Sequence, residues 1–122
     1  MTTYVVLLPG DETAWENASP EEQAAVFAKH EEFSQALAAR GHTVTGGEEL
    51  THSRTTKKVA READCSLLIT DGPYAETVEQ LSGFYVVESD DLDDLIQVAA
   101  ILAEPGSAPV EVRAAVDHSG EG

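Results

Sequence analysis

Residues 71–83 read DGPYAETVEQLSG and decide the fold, because an acid and a tight bend stand between two apolar runs. The run before them, residues 65–70, is short and partly β-branched, and residues 84–87 are apolar again. Both runs are typical of buried strands, and the glycine–proline pair is typical of a fixed bend, since proline biases the preceding residue toward an extended backbone. The pattern therefore predicts that Asp71 is held at the end of a buried strand.

One amphipathic helix is expected before this segment and one after it. Residues 20–40 open with a capping box, in which Ser19 is the cap and Glu22 stands three residues later. A second helix is predicted between the acidic cap at residues 89–91 and the proline–glycine break at residues 105–106. The first helix has an apolar stripe with a histidine on the same face: Val26, Phe27, His30, Phe33 and Leu37.

The order of elements predicts an α+β fold of the ferredoxin-like, split βαβ type with an added hairpin. Residues 4–8 are apolar on both faces and suit a central strand, and residues 110–116 alternate as a final strand. We expect one domain over residues 1–116 and a disordered polar tail at residues 117–122. Two helices cover only one sheet face, so we expect the other face to pack on a second copy, as a homodimer in the form of a dimeric α/β barrel.

The charge balance limits the expected partners. The 122 residues include 23 acidic and 7 basic ones, and the formal net charge of −16 would repel nucleic-acid phosphate. A basic cluster, Arg54, Lys57, Lys58 and Arg61, is interpreted as a solvated hairpin edge, with a phosphate-facing role as the alternative. The apolar run near the N-terminus is too short to span a membrane. We therefore expect a cytoplasmic protein that contacts neither nucleic acid nor membrane.

The single cysteine, Cys65, stands at the start of the strand that the sequence predicts to be buried. An unpaired thiol suits a reducing cytoplasm and cannot form an internal disulfide. A nucleophilic thiol needs exposure and a nearby base, and the sequence offers neither. The prediction for Cys65 is a packing role.

The signature at residues 71–77, followed by residues 83–85, resembles that of the YCII-related proteins, also called the DGPF family. Three further segments extend the resemblance along nearly the whole chain: residues 10–11, 46–50 and 110–113. Tyr74 stands where the family name carries phenylalanine, and Val78 replaces a commoner lysine. The resemblance implies a ferredoxin-like fold, a barrel-like dimer and, in some members, a first-helix histidine proposed to pair with an aspartate.

That pair corresponds to His30 and Asp71 in this chain. His30 interrupts an apolar helix face, where it is either a catalytic base or a core histidine that bonds one backbone group. Asp71 either orients the imidazole and raises its pKa, or accepts backbone amides in an Asx-turn. The sequence leaves both alternatives open.

Five further residues are candidates for a binding site: Tyr74, Glu76, Trp15, Asp11 and Glu48. The two aromatic residues stand in loops, where they either line a pocket or cover the core. Glu76 points either into the same cleft or to solvent, and Asp11 and Glu48 stand near strand ends. No histidine or cysteine spacing suits a metal and no nucleotide-binding motif is present, so we expect neither a metal nor a cofactor.

These residues lead to hypotheses from different classes. The first is a small cofactor-independent enzyme of lyase or isomerase type, in which His30 and Asp71 perform acid/base chemistry on a small metabolite. The alternative is a non-catalytic module that senses a ligand or binds a protein, linked to transcription regulation because YCII-like domains also occur beside sigma factors. A third hypothesis gives the signature a mainly architectural role at the dimer interface.

Overall fold

A computed structural model describes residues 1–73 and 77–119. The strands in these ranges are β1 (Thr2–Asp11), β2 (Thr43–Glu49), β3 (Lys57–Arg61), β4 (Leu67–Asp71), β5 (Glu79–Ser89) and β6 (Glu111–Ala114). The α-helices are α1 (Glu12–Asn17), α2 (Pro20–Ala39) and α3 (Leu92–Ala99), and short 3-10 turns span Ser53–Thr55 and Ala100–Leu102. None of the helices in the described ranges is long and apolar enough to cross a membrane.

The main sheet is antiparallel, with the strand order β2-β5-β1-β6. Helices α1 and α2 join β1 to β2, and α3 joins β5 to β6, so each connection passes over one intervening strand. This arrangement is that of two split βαβ units. The predicted α+β class is therefore confirmed, and the strand order is compatible with the ferredoxin-like plan. The barrel-like dimer stays a prediction.

The core lies between the main sheet and its layer of helices. Val6 and Val87, from the two central strands, are fully buried there. The helices contribute Phe33, Leu37, Leu95 and Val98. Because side chains alternate along a strand, the residues between the core positions lie on the opposite face of the sheet, which we call the open face. The open face carries four half-buried apolar residues: Val5, Leu7, Phe84 and Val86.

Helix α2 begins with the predicted capping box, and both of its reciprocal hydrogen bonds are present. The predicted apolar stripe is only half correct. Phe33 and Leu37 are buried, whereas Val26 and Phe27 are 40% and 53% exposed. The Phe27 ring instead packs on Trp15 in a T-shaped arrangement, with the ring centroids 5.6 Å apart. The first half of α2 thus supports α1, and only its second half reaches the core.

Strands β3 and β4 pair with each other in a separate two-stranded sheet, and we call residues 57–71 the arm. The predicted added hairpin is confirmed. Every residue of the two strands is exposed, so the prediction of a buried strand at residues 65–70 is wrong. The β-branched residues do favour a strand, but burial needs a second layer, and β4 lies outside the main sheet.

Cys65 lies in the turn at the tip of the arm, not in a strand. It is exposed, and its φ of 69° is in the left-handed region typical of tight turns. The guanidinium of Arg61 donates a hydrogen bond to the Cys65 carbonyl oxygen at 2.6 Å. The predicted packing role of Cys65 is therefore wrong, because the turn carries this residue away from the core.

Candidate active site

His30 and Tyr85 form a hydrogen-bonded pair between α2 and the main sheet. His30 Nδ1 lies 2.6 Å from the Tyr85 hydroxyl, and the two ring centroids are 5.8 Å apart. His30 is one turn before Phe33 on the same side of α2, and the Phe33 ring packs on Tyr85 at a centroid distance of 5.0 Å. The pair therefore borders the core and is half-buried.

Burial sets the protonation states of this pair. It lowers the pKa of His30 below its ordinary 6.5, and the negative charge of Glu49 opposes that shift. Burial also raises the pKa of Tyr85 above its ordinary 10.0. Near neutral pH the imidazole is therefore uncharged and the phenol keeps its proton. The pair therefore combines an uncharged imidazole, which can accept a proton, with a phenol, which can donate a hydrogen bond.

Gly47 allows β2 to approach β5 closely beside Tyr85. The two residues are opposite each other in the β2–β5 ladder, and Gly47 has a φ of +148°. A Cβ atom at Gly47 would lie 2.6 Å from the Phe84 carbonyl oxygen and 3.0 Å from the Tyr85 Cα. Only glycine fits such a close approach of two strands.

Glu49 is the acid of β2 that acts on His30, whereas the sequence selected its neighbour Glu48. Glu48 stands opposite Phe84, on the open face, and Glu49 stands opposite Gly83. Because faces alternate along a strand, Glu49 shares the helix-covered side with Tyr85. The period-two rule separates the two glutamates once the β2–β5 register is known, but that register is not evident from the sequence.

The structure does not bring Asp71 and His30 together. Asp71 ends β4 as predicted, yet its carboxylate accepts a hydrogen bond from Lys57 across the arm, and its side chain is 73% exposed. The Lys57 ammonium lowers the pKa of Asp71 below its ordinary 3.8. His30 has Tyr85 as its partner instead. Asp71 therefore joins the two strands at the base of the arm.

The structure places two of the other predicted binding residues, Asp11 and Trp15, at the cap of α1 and within it. Asp11 caps α1 and accepts the Ala14 amide hydrogen at 3.0 Å. Trp15 packs against α2, which agrees with its predicted alternative as a packing residue. Tyr74 and Glu76 lie outside the described residues. Asp11 and Trp15 therefore have their partners within α1 and on α2.

A hollow of about 540 Å³ borders the described ends of the signature, Asp71–Pro73 and Thr77. Its wall includes Arg54, whose guanidinium lies 2.8 Å from the Glu16 carboxylate. Both charged wall residues, Arg54 and Asp71, are thus already paired with protein groups. In the described ranges, no group of three or more histidine, cysteine, aspartate or glutamate side chains is arranged to hold a metal ion.

The fold and the site define a small α+β protein with a half-buried histidine–tyrosine pair beneath its first long helix. The family model of the YCII-related domain matches residues 2–117, nearly the whole chain. The chain therefore belongs to the YCII-related family. It is also 38% identical over 61 residues to the "Uncharacterized protein R00369" of Rhizobium meliloti (strain 1021). That match covers 48% of this chain and 49% of the relative, so the chain aligns with about half the length of that protein.

Proposed function

We propose that this YCII-related protein is an acid/base catalyst whose working groups are the His30 imidazole and the Tyr85 phenol. The observation that carries the proposal is their 2.6 Å hydrogen bond in a half-buried setting, with the pKa of the imidazole held below 6.5. An unpaired core histidine would have no such partner, and a histidine protonated at neutral pH would not accept a proton. The proposed pair differs from the predicted His30–Asp71 pair in its second member.

The proposed step is removal of a proton from a carbon beside a carbonyl group of a small metabolite. His30 Nδ1–H donates to the Tyr85 oxygen, which leaves the lone pair of Nε2 free. Nε2 takes the proton, the electron pair of the C–H bond moves to the carbonyl oxygen, and the Tyr85 O–H donates to that oxygen. Return of the proton to another carbon completes an isomerisation, and loss of a neighbouring leaving group completes a lyase reaction.

Glu49 supports the charged state that this step creates. The imidazolium of His30 forms when Nε2 takes the proton, and a nearby carboxylate stabilises it. Glu49 already shifts the pKa of His30 upward, against the effect of burial. It therefore keeps the base strong enough to take a proton, while burial keeps it uncharged beforehand. The step needs no metal or organic cofactor.

Solvent-exchange NMR tests this proposal. Small carbonyl compounds are incubated with the protein in D2O, and loss of the proton signal beside each carbonyl is followed. We expect the protein to catalyse exchange in at least one compound, and His30→Ala to slow it by about 100-fold or more. His118→Ala, near the end of the described chain, is the control and leaves exchange unchanged. Exchange that persists in His30→Ala would refute the assignment of the base.

A second candidate is a non-catalytic module that binds a small molecule or a protein partner. The observation in its favour is the pairing of Asp71 with Lys57, which assigns the signature aspartate to the base of the arm. In this case the unsubstituted protein catalyses no proton exchange in any carbonyl compound, so His30→Ala and Tyr85→Phe do not change the exchange rate. Asp71→Asn then changes binding of the partner while the protein remains folded by circular dichroism.

A further inference from the structure

The first half of α2 presents two apolar side chains to solvent just before His30. Val26 and Phe27 stand four and three residues before the histidine, and they are 40% and 53% exposed. Residues at these spacings are neighbours on a helix surface, with about 5–6 Å between their Cβ atoms. Helical side chains also lean toward the N-terminus of the helix, so the His30 ring leans toward the turn that carries Val26 and Phe27. An exposed apolar surface therefore adjoins the proposed base.

Phe27 is held in place by α1. Its ring packs on Trp15, and the Gln23 side-chain amide donates a hydrogen bond to the Trp15 carbonyl oxygen at 3.0 Å. Helix α1 is anchored in turn by the Glu12 carboxylate, which accepts hydrogen bonds from the Ser53 amide and hydroxyl at 2.8 and 2.5 Å. A side chain that is already fixed loses little freedom when a ligand binds, so Phe27 is prepared for a contact.

The charge around His30 opposes the binding of anions. The carboxylate of Glu49 acts on the imidazole, as the direction of its effect on the pKa of His30 shows. Residues 20–33 of α2 contain four acidic residues and one basic residue, Lys29, which pairs with Glu32 at 3.5 Å. A ligand carboxylate or phosphate would therefore meet net negative charge at this place, and such repulsion is a common source of specificity.

We propose that Val26 and Phe27 form an apolar wall that selects the substrate of His30. The substrate class is an uncharged carbonyl compound with an aromatic or other apolar group about three bonds from the carbonyl carbon, which suits the spacing of neighbouring side chains on a helix. The apolar group packs on Phe27 while the carbon that loses its proton lies at His30 Nε2. This inference rests on the proposed acid/base function and extends it to the class of substrate.

The first experiment measures binding and does not depend on catalysis. Butanone, benzylacetone and levulinate are methyl ketones that carry hydrogen, phenyl and carboxylate, respectively, on the same far carbon. Trp15 is the single tryptophan, so its indole N–H gives one NMR signal beside the wall. We expect benzylacetone to shift this signal saturably, with a dissociation constant at least about tenfold below those of the other two ketones. Equal dissociation constants, or no shift with benzylacetone, overturn the proposal.

Variants of Phe27 test whether its ring makes the contact. We expect Phe27→Ala to raise the dissociation constant of benzylacetone by about fivefold or more, and Phe27→Tyr, which keeps the ring, to change it by less than about twofold. Ile96→Ala removes an apolar side chain that is 45% exposed on α3, and it serves as the control that leaves binding unchanged. Unchanged binding in Phe27→Ala, or equal weakening in Ile96→Ala, overturns the proposal.

The last experiment separates the wall from the reaction. Exchange of the methyl protons in D2O is measured for the three ketones, and each rate is divided by the rate without protein. We expect the largest ratio for benzylacetone, and Phe27→Ala to lower it to the ratio of butanone. Exchange without preference among the ketones overturns the wall but supports the reaction. Binding of benzylacetone through Phe27 without exchange of any ketone supports the wall but refutes the proposed reaction.

Discussion

The His30–Tyr85 pair depends on the absence of a Cβ atom at position 47, which is a glycine. We predict that Gly47→Ala lowers the free energy of unfolding by at least about 2 kcal/mol, because its Cβ would overlap the Phe84 carbonyl oxygen at 2.6 Å and strain a backbone with positive φ. Urea unfolding measures the loss. Strands that move apart also move Tyr85, so the NMR signal of the His30 ring shifts as well.

Gly46 provides the matched control for this prediction. A Cβ at Gly46 would meet only the Val86 side chain, at 3.7 Å, which is ordinary van der Waals contact. Gly46→Ala should therefore change the free energy of unfolding by less than about 1 kcal/mol. Equal losses in the two variants would show that Gly47 has no special role at this point of the sheet.

The protonation of His30 gives a second prediction at this scale. Glu49→Gln removes the negative charge that opposes the effect of burial, so the pKa of His30 should fall further below 6.5. Glu48→Gln removes an equal charge from the open face and should leave the pKa almost unchanged. A titration of the His30 ring by NMR measures both. A fall of equal size in the two variants would contradict the assignment of Glu49 to this site.

The sequence identifies half of the candidate site. His30 follows from helical spacing, since residues three and four apart share a face. Its partner Tyr85 lies 55 residues away in the chain, and the contact depends on how β5 aligns with β2 and α2. Adjacent glutamates at positions 48 and 49 have identical chemistry, so only the register of the strand tells which one acts on the imidazole.

At the scale of elements, α3 is joined to the chain after α2 by a small polar cluster. His42 is nearly fully buried, with Nδ1 at 2.8 Å from the Ser89 hydroxyl and Nε2 at 2.7 Å from the Asp94 carboxylate. Arg40 donates to the other oxygen of the same carboxylate. The Ser89 hydroxyl also bonds the backbone of Asp91, the cap of α3. The buried serine and imidazole are thus fully engaged in fixing the start of α3.

This cluster makes the stability of the protein fall at low pH, when Asp94 becomes protonated. The hydrogen bond from His42 and the charge of Arg40 lower the pKa of Asp94 below its ordinary 3.8. A carboxyl whose pKa is lower in the folded than in the unfolded state stabilises the fold above the unfolded value, and the benefit is lost as the pH falls through the folded value. Asp94→Asn should therefore lower the melting temperature at pH 7 and weaken its dependence on pH below about 4.

The neighbouring Asp93 supplies the control for Asp94. It is an exposed acid in the same first turn of α3, and it takes no part in the His42 cluster. Asp93→Asn should leave the steepness of the acid transition unchanged in thermal unfolding curves collected from pH 2 to pH 7. Identical curves for Asp94→Asn and Asp93→Asn would show that the cluster does not cause the loss of stability at low pH.

The arm shows that the sequence determines the strand conformation of a segment but not its burial. The apolar residues at positions 67–69, followed by Thr70, predict a strand correctly, because the β-branched Ile69 and Thr70 suit that backbone whether or not they are buried. Burial depends on a second layer, and in the described part of the chain β4 remains exposed. An apolar run therefore predicts the extended backbone of a strand but does not by itself predict that the strand belongs to the core.

At the scale of the whole molecule, repulsion among acids competes with a few ion pairs. In the described part of the chain, three exposed pairs join basic side chains to carboxylates: Arg54 with Glu16, Lys57 with Asp71, and Lys29 with Glu32. Arg40 pairs with the partly buried Asp94. Each exposed pair contributes only about 0–1 kcal/mol. The formal net charge of −16 is spread over 122 residues, and such self-repulsion destabilises the compact state.

Salt should therefore stabilise this protein. Raising NaCl from about 0.01 M to 0.5 M shortens the Debye length from about 30 Å to below 8 Å, which screens repulsion across the molecule as well as the exposed pairs. Because uncompensated acids far outnumber the pairs, we predict a higher melting temperature at high salt, measured at a protein concentration where the chain is monomeric. Sucrose is the control, because it is excluded from the protein surface but adds no ions. A rise in melting temperature that salt causes beyond the effect of sucrose is therefore due to charge screening. A melting temperature that falls with salt would mean that the ion pairs outweigh the repulsion, so Arg40→Ala would then abolish part of that fall.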